Sequence, residues 1–445
     1  LQTPSFTVHD AIESAGFHKF QIILCAISGL SWIATATEIM LLSVMPPSLY
    51  CEWALSDMEQ ALCTTFVFFG WMVASPVWGR GLIISSVVGT IFGILCALAP
   101  TFYLFLAARF GVGFAIGAMA QSVTLTSEFL PSANRAWWLI TLKSFWAIGA
   151  ALEAAMAIVV LPSLGWRWLV AFSAIPYALF GICSWWLPES ARFDVSRGRV
   201  VEARATLDRI AHFNGRSLPD GELIAETEVP LSSVFDEFRQ KSKIWSTIEI
   251  CRTLFGLLYI GLAIYTSLLL HSSNDRCSEP EVMTNVTFDA RFKRDVEMNE
   301  VPPCRLLTTQ NYMDIILTTM SEVPGYILTA YSINLIGRKA TFAVGFAIFS
   351  ACSAVMAFCL PRFLIITALF VGRSVIGSVW QAGYIYTGEV YPVSLRAQGL
   401  GMASSFGRVG AMTTPLITQM LASINIIFPA VLYVVGGVVG VVLSI

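Results

Sequence analysis

Charge is what this chain has least of. Asp, Glu, Lys and Arg make up 13% of its 445 residues, about half the usual 25% of a soluble protein. Such scarcity excludes a large soluble enzyme. The two signs nearly balance, with 27 basic against 29 acidic residues, so no basic footprint for a nucleic acid exists. No Cys or His spacing suggests a metal site. No Gly-x-x-x-x-Gly-Lys-[Ser/Thr] loop occurs, so nothing suggests ATP hydrolysis and no cofactor is expected.

What fills the chain instead is apolar. Hydrophobic residues make up 56%, and the mean hydropathy is +0.71. A helix that crosses a bilayer needs about 20 mostly apolar residues. Twelve such runs are predicted, near 21–46, 58–79, 81–99, 102–127, 138–161, 168–187, 246–270, 312–335, 341–360, 363–387, 398–421 and 425–445. The first is too long and too far from the start to read as a signal peptide. The last meets the final residue without a tail, as in a chain cut short. The second and third are joined through little more than Gly79, Arg80 and Gly81. An all-α membrane protein follows, with a segment 1–19, a six-helix bundle 20–187, a linker 188–245 and a second bundle 246–445.

Lys and Arg in short loops set orientation. With the N-terminus in the cytoplasm, that side holds fifteen basic residues and the other side seven. The loop 271–311 then lies outside, with Cys277, Cys304 and the sequon at Asn285. A disulfide and a glycan both suit an oxidising compartment. Cys51 also falls outside the cytoplasm and competes for the pairing.

The chain repeats itself. "SEFLPSANR" and "GEVYPVSLR" both read Glu-x-x-Pro-x-x-x-Arg, and Glu128 and Glu389 stand 261 positions apart. Arg109 and Arg373 precede the two copies at similar distances, and Arg80 answers to Arg338 and Lys339. A duplicated six-helix unit places a substrate site between the halves, near the bilayer midplane. Each Glu ends a helix, where the dipole disfavours an anion. A cation from Arg135, Arg396 or a neighbouring loop is the expected partner. Glu128, Arg135, Arg80, Arg338, Lys339, Glu389 and Arg396 therefore form the expected cytoplasmic gate.

These motifs, with "LPESARF" at 187–193, resemble the sugar and organic-ion transporter branches of the major facilitator superfamily. "FTVHDAIESAGFHKFQ", "CEWALSDMEQAL", "YMDIILTTMSEVPG" and "YIYTGEVYP" narrow the resemblance to the synaptic-vesicle-two-related family. It implies twelve helices, a cytoplasmic N-terminus and an organic-ion transporter of intracellular vesicle membranes; a plasma-membrane protein is the other expected location. Two departures stand out. The family's Asp-x-x-Gly-Arg-Lys loop between the second and third helices is missing or reduced here, and Thr35 replaces an acidic residue three positions before Glu38.

Ionisable residues inside a membrane face a cavity or a partner. Glu38, Arg109, Lys143, Glu153, Glu322, Arg373 and Arg408 fall within the apolar runs. Glu38 is the leading candidate for a proton-binding carboxylate, and Arg408 for contact with an anionic group. Glu322, Gln381 and Tyr384 complete the expected substrate or proton site, with Trp146, Trp380 and Tyr386 as weaker aromatic candidates. Lys143, near a helix end, is expected to snorkel. Arg109 and Arg373 precede glycine-spaced helices that should pack closely.

The expected function is secondary transport of a small organic, charged solute by alternating access, with a proton as the candidate coupling ion. The rival expectation is a membrane receptor or trafficking component that kept the fold and lost the transport cycle.

Overall fold

The computed structural model describes residues 5–74, 81–119, 121–224, 242–272, 307–358, 360–390 and 396–444, with the backbone alone at 57, 134, 136, 196, 242–248, 271–272, 385, 388–390 and 396–402. The first half runs through α1 (Val8–Ala15), α2 (Lys19–Val44), α3 (Pro46–Trp53), α4 (Asp57–Ala74), α5 (Leu82–Leu98), α6 (Phe102–Met119), α7 (Gln121–Glu128), α8 (Ser132–Leu164), α9 (Trp166–Ser173) and α10 (Ile175–Ser184). The linker holds α11 (Ala191–Ser196) and α12 (Val200–Phe213). The second half runs through α13 (Ser242–Ser272), α14 (Thr309–Met320), α15 (Glu322–Leu335), α16 (Arg338–Met356), α17 (Arg362–Val390), α18 (Arg396–Ile424) and α19 (Ile427–Ser444). The departure from an all-helical chain is a parallel pair of two-residue strands, β1 (Ser5–Phe6) and β2 (Glu222–Leu223).

Among the described residues, eight helices are long and apolar enough to cross a membrane, and Met58–Ala74 and Leu82–Leu98 are shorter apolar ones. The remaining two expected runs coincide with α14–α15 and α18. Ile84, Val87, Ile91, Leu95 and Leu98 are all exposed along α5. They recur every three or four residues, so they form one stripe. An exposed apolar stripe of that length on a helix suits lipid, not water.

Proline and glycine place the breaks. Pro46 and Pro47 follow the end of α2 and open α3, since proline lacks the N–H that a continuing helix needs. α8 ends at Gly165, whose φ of +82° a side chain would resist. α14 and α15 part at Ser321. Pro324 lies three residues on, and it cannot donate to the carbonyl of Met320 four positions back. α4 is described as far as Ala74 and α5 opens at Leu82; the expected joint at Gly79 and Arg80 lies outside the described residues.

In the first bundle α2 packs on α8, and α6 on α4 and α5. In the second, α13 packs on α18, and α16 on α17 and α19. A Cβ on Gly113 would meet the Val67 carbonyl at 2.0 Å, and one on Gly410 would meet the Thr253 carbonyl at 2.0 Å. These glycines let the helix pairs touch backbone to backbone. The bundles meet where α4 faces α18 and where α8 faces α14 and α15.

One end of the molecule, here the basic end, carries the N-terminal segment and the linker. These do not hang loose. Phe6, Val8, Ile12, Phe20 and Leu24 bury together with Phe129, Leu207 and Ile210 in one apolar cluster. Asn214 donates to Gln21 Oε1 at 2.9 Å, and the Ser132 amide donates to Glu13 Oε1 at 2.7 Å. That amide, with the Ser132 hydroxyl, holds the Glu13 carboxyl below its ordinary range. At the far end, Ile260, Ile264, Leu270, Leu307, Tyr312 and Ile315 of the second half join Met40, Met45 and Leu49 of the first in a shared apolar cluster.

Candidate functional site

Two buried ion pairs sit in the bundles. Glu38 on α2 receives Arg109 of α6 at 2.6 Å, and each side chain is 1% exposed. Arg109 also reaches Met45 Sδ at 3.6 Å and lies over the Phe105 ring. Thr35, in place of the family's acid, donates to the Ser31 carbonyl of its own helix at 2.9 Å. Nearby, both oxygens of Glu153 on α8 lie 2.9 Å from the Ser173 hydroxyl.

The second pair joins Glu322, the first residue of α15, to Arg373 of α17 at 3.1 Å. Tyr259 and Tyr326 also donate to the Glu322 carboxylate, at 3.0 and 2.9 Å. Trp146 donates to the Tyr259 hydroxyl at 2.9 Å. This chain therefore runs from α8 in the first bundle through α13 to α15 and α17 in the second. Satisfied by three donors, a buried carboxylate tolerates its low-dielectric place.

Around the chain lies a cage of rings and cations. Trp380 stacks on Tyr259, and Tyr384 meets Trp380 edge on. Lys143 Nζ sits 3.4 Å from the centroid of Trp32 and 5.2 Å from that of Tyr384. Arg252 lies 4.0 Å from the same Tyr384 centroid and donates to Thr387 at 3.1 Å. Arg408 lies over Trp71 at 4.7 Å, across the contact of α4 with α18. Ion over ring is an attractive geometry. Gln381 is buried on the face of α17 that also carries Gly377 and Tyr384, and its Oε1 has no described partner.

Several expectations change here. Lys143 does not snorkel. α8 starts at Ser132, six residues before the predicted 138, so Lys143 lies well inside the bundle. Arg109 and Arg373 are each the partner of a buried carboxylate. Tyr386 faces a separate cavity of about 280 Å³ beside Arg252, Lys339 and Phe342. Sequence reasoning missed Arg252, although it stands inside the apolar run 246–270. It also missed Trp32, Tyr259 and Tyr326, which nothing in the sequence separates from packing aromatics.

At the basic end, Ser190 of the LPESARF motif donates to Glu128 Oε2, and Arg192 lies close by. Arg135 donates to the Leu130 carbonyl at 3.1 Å. Arg338 and Lys339 open α16 and are exposed. The side chains of Glu389 and Arg396 lie outside the described residues, as do Arg80, Asn285, Cys277 and Cys304. Cys51 is disulfide-bonded, whereas Cys25, Cys63, Cys96, Cys183, Cys251 and Cys352 are free thiols. Its partner lies outside the described residues, where the sequence holds Cys277, Cys304 and Cys359.

Residues 53–267 match the family described as Sugar (and other) transporter, a class of transporters and not of enzymes. The Synaptic vesicle 2-related protein of Bos taurus is 40% identical over 440 residues, 96% of this chain and 78% of that protein. Its counterpart from Xenopus laevis is 39% identical over 446 residues, 96% and 78% of the two chains. Among solved structures, a partially occluded inward open conformation of the xylose transporter XylE from E. coli superposes with a TM-score of 0.69. It covers 95% of this chain and 96% of that one at 14% identity, a likeness of fold. The chain is a multi-pass membrane protein that belongs to the synaptic vesicle 2-related family of the major facilitator superfamily.

Proposed function

We propose that the protein is a secondary active transporter, moving a small organic, charged solute by alternating access and drawing on a proton as coupling ion. The observation that carries this reading is the chain Trp146–Tyr259–Glu322–Arg373, which ties the two bundles through one buried carboxylate. A solute or proton that alters Glu322 alters the contact between the bundles at the same moment. Such differential contact is what a ligand needs to shift a two-state equilibrium. Glu38 with Arg109 supplies a second carboxylate whose charge is balanced inside the first bundle. Glu128, Arg135, Arg338, Lys339, Glu389 and Arg396 serve in this reading as the gate at the basic end. The family likeness supports a vesicle membrane as its place of work.

Uptake into proteoliposomes tests the proposal. A panel of organic cations, anions and nucleotides is offered with and without an inward pH gradient. At least one solute accumulates faster with the gradient, and Glu38→Gln and Glu322→Gln each abolish that stimulation. Accumulation of none of them under any gradient contradicts the reading.

A further inference from the structure

Lys143 is an unmatched cation. No hydrogen bond or ion pair of its ammonium is described; it faces the rings of Trp32 and Tyr384, at 3.4 and 5.2 Å, with Arg252 and Glu322 within electrostatic reach. The carboxylates buried in the bundles are engaged elsewhere. Glu38 takes Arg109, Glu322 takes Arg373 and two tyrosines, and Glu153 has Ser173 on both oxygens. Arg252 shares the Tyr384 ring, and Arg408 lies within electrostatic reach of both. Lys143 is half-buried, so its ammonium can meet an arriving counter-charge in a setting where charges attract more strongly than in bulk water.

We propose that the transported solute is an organic anion with a flat apolar body, and that Lys143 binds its negative group while Trp32, Tyr384 and Gln381 hold the body. This rests on the transport reading and names its substrate class. An aromatic cage usually suggests a cationic ligand. Here the ring faces of Trp32, Trp71 and Tyr384 already carry Lys143, Arg408 and Arg252. A cationic solute meets repulsion from these three cations. A neutral polyol leaves the Lys143 charge unanswered. Gln381 adds a second requirement. It is 7% exposed, and its Oε1 lacks a described partner. A buried carbonyl oxygen without a donor is rare, so an N–H or O–H on the body of the solute is its natural complement.

Three probes of one shape separate the charges: benzoate, benzamide and benzylamine. Each is added to the purified protein in detergent, and thermal unfolding gives the binding constant. Benzoate binds at least tenfold tighter than the other two, a difference of about 1.4 kcal/mol. Lys143→Gln removes that preference and Lys143→Arg keeps it. Equal binding of the three, preference for benzylamine, or no benzoate binding overturns the proposal without use of any variant. So does undiminished benzoate preference in a folded Lys143→Gln protein. The assay needs neither a gradient nor a transport cycle. Absence of a benzoate preference in the unsubstituted protein therefore sinks the anion assignment and leaves transport to the uptake assay. Tight benzoate binding in a protein that accumulates nothing does the reverse.

Discussion

Glu38 and Arg109 meet at 2.6 Å with almost no exposure, so neither can lose the other without leaving a buried charge alone. Removing one partner of such a pair costs about 3–5 kcal/mol, whereas replacing both with apolar or neutral groups of similar volume is often neutral. Arg109→Met should therefore lower stability by about that amount, and adding Glu38→Gln should restore most of it. Denaturant unfolding of the two variants checks this, and a double variant no more stable than the single one contradicts the coupling. At this scale the sequence was partly legible. A charge inside an apolar run is conspicuous, so Glu38, Glu322, Arg109, Arg373 and Arg408 all stood out. Which of them pair did not, because periodicity along one helix does not say which neighbour faces it. The repeat even misleads here. Arg109 and Arg373 occupy matching places, yet their carboxylates come from α2 in one half and α15 in the other.

Helix ends were the least legible elements. α8 begins six residues before the predicted start, because Ser132 to Trp137 are too polar to extend an apolar run but form helix readily after Pro131. That offset made Lys143, which lies half-buried inside the bundle, an expected surface group. The linker and N-terminal segment were legible as polar stretches, though not as partners, since their shared cluster joins residues some 200 positions apart. The disulfide makes a firmer claim about elements. Cys51 sits on α3 of the first half, and Cys277, Cys304 and Cys359 all belong to the second. Non-reducing peptide mapping should find Cys51 linked to one of those three peptides. Cys51 recovered as a free thiol from protein that passed through an oxidising compartment contradicts the assignment.

Across the whole molecule, the repeat and the apolar runs made the two-bundle fold legible, while the state in which the bundles rest was not. Polar contacts pin each bundle within itself at the far end, as Glu52 with Arg167 and Asp314 with Arg362 do, both at 2.5 Å. Between the bundles, the far end is held by apolar side chains. Midway, Trp146 and Thr65 each donate a hydrogen bond across, to Tyr259 and to the Met412 carbonyl. Apolar contacts have no fixed direction, so such a seam can part and close while each bundle keeps its shape. That division of labour suits rocking of one half against the other.

Distances between spin labels test this most directly. One pair at Ser56 and Gln310 reports the far end, and another at Ala133 and Ala340 reports the basic end. Lowered pH and added solute should lengthen the first distance and shorten the second in the same population. Glu322→Gln should shift that balance by at least severalfold. Distances that stay fixed at both ends under every condition, in protein that binds its solute, contradict alternating access.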